Sequence, residues 1–77
     1  MWICTQNEDA LYHVIGVRAI RMISESSYSV IGILPSEKDP VILGEYDDYQ
    51  TADAEIKHID AFLSAGTKTV YHMQKQN

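Results

Sequence analysis

The stretch Val41-Ile42-Leu43-Gly44-Glu45-Tyr46-Asp47-Asp48, running on through Tyr49-Gln50-Thr51-Ala52 to Gly66, decides how this chain folds. Its first six residues read as a strand. Tyr49, Ala52, Ile56, Ile59 and Leu63 then recur at steps of three and four, which keeps all five on one face of a helix. The spacing predicts a helix over residues 49–65. Asp48 suits the N-cap, because its carboxylate can accept a bond from a free N–H of the first turn; Thr51 is the alternative, starting the helix a turn later. Asp53 and Glu55 near the start suit the positive end of the helix dipole. Gly66 stands where a left-handed C-terminal residue is wanted. A one-faced helix must pack on something, and the strand leading into it points to a sheet.

At 77 residues the chain holds one domain (1–77) and one small core. Burial in so short a chain is incomplete, so a staple, a metal or a partner is usually needed. The single cysteine, Cys4, cannot form an internal disulfide, and the cytosol is its natural compartment. The first six residues show no signal-peptide pattern, and no apolar run approaches the roughly 18 residues of a membrane span. The expectation is a cytoplasmic chain in a bacterial host cell. A net charge of -5, with six basic residues scattered along the sequence, argues against direct nucleic-acid or anionic-membrane binding. By elimination, a protein partner or a homodimer is expected.

The first half reads as a run of strands. Residues 2–6 and 10–14 are short extended pieces, closed by Asn7-Glu8-Asp9 and a bend at Gly16. Residues 17–23 alternate without a purely apolar face. Ser24 to Ser27 supply a turn into residues 28–34, which carry Gly32 at their middle. Pro35 to Pro40, two prolines around three charges and a serine, joins residues 28–34 and 41–46 as a hairpin. After the helix, residues 67–73 read as a last strand and residues 74–77 as a polar tail. The fold class expected is α+β: an antiparallel sheet of about five strands in a meander, one amphipathic helix packed on it, and a closing C-terminal strand.

Trp2-Ile3 with Gln6, Leu43-Gly44-Glu45-Tyr46 before the helix, and Tyr71-His72-Met73 after Gly66 form a recognisable set. On these residues the chain resembles a family of small uncharacterised proteins of Gram-positive phages and prophages. That family has a Trp-Ile-x-x-Gln start, a Leu-Gly-x-Tyr strand before an acidic-capped helix, and a Tyr-x-Met end. The resemblance covers both ends and most of the chain, while the middle strands match only in pattern. It implies a phage setting and carries no catalytic residue. It also implies structural roles for Leu43 and Tyr46 in a strand, with Gly44 allowing the helix close approach. The opening Asp47-Asp48-Tyr49-Gln50-Thr51 departs from the Glu-Ser-Glu-Glu type expected there.

Catalytic and metal signatures are thin. His13, His58 and His72 form no pair at helical spacing and have no cysteine at metal-finger spacing. Cys4 and His72 would meet if the first and last strands pair, which makes a Cys–His nucleophile the sharpest enzyme hypothesis; a buried, inert thiol is the plainer reading. No Gly-rich anion loop, nucleophile elbow or carboxylate pair appears, so neither an enzyme nor a cofactor is expected. Six of the eleven acids, Glu45, Asp47, Asp48, Asp53, Glu55 and Asp60, fall close together with Lys57 as the lone cation among them. Asp47, Asp48, Asp53 and Asp60 are therefore the candidate partner-binding residues: an acidic helix face can imitate phosphate spacing and inhibit a host nucleic-acid or defence protein. The plainer reading is that these acids serve the helix N-terminus and a solvated face. The tyrosines offer a different surface, for a structural homo-oligomer or virion component; a small-ligand binder or minor enzyme is the third class.

Overall fold

The computed structural model describes residues 1–22, 27–66 and 69–75. Six strands and one helix follow in the order β1 (Trp2–Cys4), β2 (Leu11–His13), β3 (Gly16–Met22), β4 (Ser27–Ile33), β5 (Val41–Tyr46), α1 (Tyr49–Ser64) and β6 (Tyr71–His72). The α+β class and the closing strand are as expected. The single five-stranded sheet is not. The strands divide into two three-stranded sheets, ordered β2-β1-β6 and β3-β4-β5, and β6 pairs with β1 in parallel.

The division is made at two corners. Val14 donates its N–H to the Met1 carbonyl, continuing the β1–β2 hairpin, while the next residue, Ile15, donates to Ile33 of β4. The chain thus changes sheets between two consecutive residues. At the opposite corner the N–H of Gln6 donates to the Leu43 carbonyl at 2.8 Å. Leu43 is free to accept because β5 carries an irregularity there: Val30 pairs with Gly44 and Ile31 with Ile42, which leaves Leu43 without a Cα partner on β4. A bulge bends its strand, and here it turns β5 toward the first sheet.

The hairpin of β4 and β5 matches the strands read around Pro35 and Pro40. Its close layers depend on Gly32, where a Cβ would lie 2.7 Å from Val14 Cγ1 and 3.1 Å from Leu43 Cδ1. Gly44 serves differently from expected. A Cβ there would meet the Tyr46 hydroxyl at 3.1 Å and Gln6 Cβ at 3.2 Å, so the glycine makes room for strand-to-strand packing and not for the helix. The turn proposed at residues 24–27 lies largely outside the described residues; Ser27 itself begins β4.

The helix begins as the capping argument requires. Asp48 is extended, and its Oδ1 accepts the Thr51 N–H at 2.7 Å. That bond to the backbone holds the Asp48 carboxyl below its ordinary value. Thr51 is therefore the capped residue, not the cap. At the other end Gly66 takes a φ of 72°, and its N–H donates to Leu63. Neither Asp53 nor Glu55 lies in the first turn. Asp53 bridges to Lys57 at 2.9 Å, and Glu55 turns inward.

The buried face of α1 is displaced from the stripe read in sequence. Ala52, Glu55 and Ile59 are buried, Ile56 and Phe62 are half-buried, and Tyr49 and Leu63 at the two ends are exposed. Around Ala52 and Ile59 the core gathers Ile3, Val14, Val30, Leu43, Tyr46, Tyr71 and Met73. It draws on both sheets, with the helix packed most closely on β3 and β4.

Candidate functional site

Three fragments far apart in sequence meet in a polar clasp. Gln6 uses its side-chain amide as a strand would use its backbone: Oε1 accepts the Glu45 N–H at 2.8 Å and Nε2 donates to the Glu45 carbonyl at 3.0 Å. Nε2 also reaches the Gln74 carbonyl, which accepts the Tyr46 hydroxyl at 2.7 Å. The Gln74 N–H in turn donates to Glu55 Oε2 at 2.8 Å, and the Tyr71 hydroxyl donates to the same oxygen at 3.0 Å. His58 Nδ1 lies 3.3 Å from the other oxygen. Glu55 is 2 % exposed, and every one of these partners is accounted for.

The clasp ties together residues that lie far apart in the sequence. Gln6, Tyr46 and Tyr71, from the start, the middle and the end of the chain, converge on Gln74 and Glu55. Residue 74, read as the start of a polar tail, is held by three partners, Gln6, Tyr46 and Glu55. Residues 76–77 lie outside the described residues. Glu55 is the residue that sequence reading misplaced, although its spacing was informative: 52, 55, 59 and 62 step by three and four along the true buried face.

The buried, partnered carboxylate of Glu55 has a consequence at high pH. Burial pushes the Tyr46 hydroxyl above its ordinary 10.0, and the Glu55 charge adds to the shift. Tyr71 is raised by burial first, then by its bond to Glu55 and by that charge. Both groups thus hold protons more tightly folded than unfolded. Their contribution is fully present below the ordinary tyrosine value of 10.0 and is lost as pH rises through the raised values. The urea midpoint should stay level to about pH 9 and fall from about pH 10 upward. Tyr71→Phe should flatten that fall. A midpoint independent of pH across this window, or an equal fall in Tyr71→Phe, would contradict the assignment.

The thiol–imidazole pairing is half met. Cys4 and His72 are register partners on β1 and β6, as the pairing of first and last strands requires. Cys4 is nevertheless half-buried, not enclosed, and it shares an open depression with Leu11 and Val70. Trp2, also on the outer face of this sheet, stacks on His13 with ring centroids 5.1 Å apart. Among the described residues no group of three or more His, Cys, Asp or Glu side chains could hold a metal ion. No helix among them is long and apolar enough to cross a membrane.

The four acids named from sequence divide into two places. Asp47 and Asp48 precede the helix, where Asp48 is committed to the cap. Asp53 and Asp60 lie on the rim of an apolar cleft between α1 and β3. The cleft consists of two adjoining depressions of about 310 and 350 Å³ that share Val17, Ile59 and Leu63. Ile15 and Met1 extend one end and Ile56 the other. Ile15 is 67 % exposed and Leu63 54 %, so the cleft presents large aliphatic side chains to solvent. With Glu55 buried, Asp48 capping and Asp53 bridged to Lys57, the acidic face is smaller than the sequence cluster suggested. Comparison with protein-family models, with curated proteins and with solved structures returns no match.

Proposed function

We propose that this chain is a small binding module, not an enzyme, and that it acts by docking a protein segment in the cleft between α1 and β3. The observation that carries this reading is the exposure of Ile15 and Leu63 beside Val17 and Ile56, a contiguous apolar surface edged by Asp60 and by the Asp53–Lys57 pair. Apolar surface rimmed by polar groups is the usual mark of an interaction site. Asp60 on the rim favours a partner segment that combines aliphatic side chains with arginine or lysine, and complementary charge speeds such an encounter. The resemblance to small phage proteins supports an accessory role in an infected cell, exerted through protein–protein contact.

Selection of a random-peptide library on the immobilised protein tests this. Binders should be enriched in aliphatic residues next to Arg or Lys. They should be lost on Leu63→Asp, a change at an exposed position that should leave the circular-dichroism spectrum unchanged. Asp60→Lys should weaken them and reduce their salt dependence. Binders that ignore both variants would place the docking surface elsewhere and overturn the proposal.

A further inference from the structure

Strand β3 is the outer strand of its sheet, and among the described residues its far edge has no backbone partner. An unpaired edge is a template for another strand. Val17 and Ala19 pack toward the core. By strand alternation Arg21 shares their face; it stands opposite Tyr28, which packs on Tyr49 of the helix. Arg21 is exposed, and among the described residues no carboxylate lies within ion-pair distance of it. Asp60, on the cleft wall beside Val17, is exposed and lacks a cation in the same way.

We infer that the occupant of the cleft is a second copy of this chain, added antiparallel along β3. The assignment rests on reading the cleft as a docking surface and names what docks there. Centring the pair on Ala19, the midpoint of Gly16–Met22, matches the whole strand with itself. Val17 then stands opposite Arg21 of the second copy, and Arg18 opposite its Ile20. Directly opposed residues share a face at roughly 4.5–5.5 Å between Cβ atoms. The incoming Arg21 therefore extends over the cleft wall that holds Asp60, where Asp53 is already paired with Lys57, and the two-fold axis repeats this on the other side.

Other registers are worse. Centring on Arg18 or on Arg21 sets an arginine against its own copy, which destabilises a strand pair. A shift by one residue turns the helix-bearing face of one copy away from that of the other. Centring on Val17 or on Ile20 shortens the pairing and moves Arg21 away from Val17. In the register centred on Ala19 the two helices lie over one continuous sheet, with Ile56 and Leu63 of each copy filling the space between them.

The test is the mass in solution of the parent, of Arg21→Glu, of Asp60→Lys and of an equimolar mixture of the two variants. The parent should be a dimer at tens of micromolar. Each variant alone should dissociate, its dimer weakened roughly tenfold or more. The mixture should dimerise again, because Asp60 of one variant meets Arg21 of the other while the two introduced charges meet each other. An effect confined to one copy cannot be rescued by mixing. A dimeric parent whose variants are not rescued on mixing would overturn the register. A monomeric parent that still yields cleft-binding peptides would overturn the self-pairing alone and leave the docking proposal standing; a monomeric parent that yields none would overturn both.

Discussion

Glu55→Ala should unfold this protein or bring it close to unfolding, at a cost of about 2–5 kcal/mol. Two donors converge on one buried oxygen of Glu55, the Tyr71 hydroxyl and the Gln74 N–H. Truncation strands both, and each unsatisfied buried donor costs roughly 1–3 kcal/mol. The loss reaches further than the helix, because Gln74 also accepts from Tyr46 and Gln6. The C-terminal segment should therefore loosen first, with faster hydrogen exchange at the Gln74 amide than elsewhere. Glu55→Gln keeps the volume and one acceptor and should lose less. Glu55→Leu separates polarity from packing: it fills the space and still leaves the donors without a partner. A Glu55→Ala urea midpoint within error of the parent's would show that the carboxylate is incidental. A Glu55→Leu variant more stable than the parent would show that burying the charge costs more than its bonds return.

Ile59→Ala should cost roughly 2–5 kcal/mol, the range for emptying a packed aliphatic site. Ile59 is 1 % exposed and sits on the helix between the layers, at the floor of the cleft. In a chain of 77 residues with a thin core, that loss consumes most of the margin. Lys57→Ala, two positions away on the exposed face, should leave the midpoint unchanged, since its partner is the surface carboxylate of Asp53. Leu63→Ala should also be mild, because Leu63 is largely exposed. This ordering differs from the one the sequence stripe implies, in which Ile59 and Leu63 share the core equally. Equal losses at Ile59 and Leu63 would mean the helix is turned about its axis relative to the arrangement described.

Much of the local structure was legible in the residues themselves. Strand β5 begins and ends where the run from Val41 to Tyr46 does, the helix begins after Asp48, and Gly66 adopts its left-handed turn. Each depends on a local cause: β-branched residues after a proline, a short carboxylate that bonds a free N–H, a residue without a Cβ. The hairpin across Pro35 and Pro40 is legible for the same reason. The candidate site was legible only in part. Asp53 and Asp60 belong to the cleft rim, while of the apolar residues that form the cleft Leu63 read in sequence as a core position and Ile15 carried no assignment.

What tertiary structure alone decided is where strands with similar alternation find their partners. Nothing local separates a five-stranded meander from two three-stranded sheets, because both bury every second side chain. The choice rests on the carbonyl of Leu43, released by an irregularity in pairing, and on the handover between Val14 and Ile15. The parallel pairing of β6 with β1 likewise depends on where the helix delivers the chain. Glu55 shows the same division most sharply. Helical spacing put it on the face of Ala52 and Ile59, but a carboxylate reads as surface until its donors are known. Those donors, on Tyr71 and Gln74, lie 16 and 19 residues away and reach it only when the last strand closes against the first.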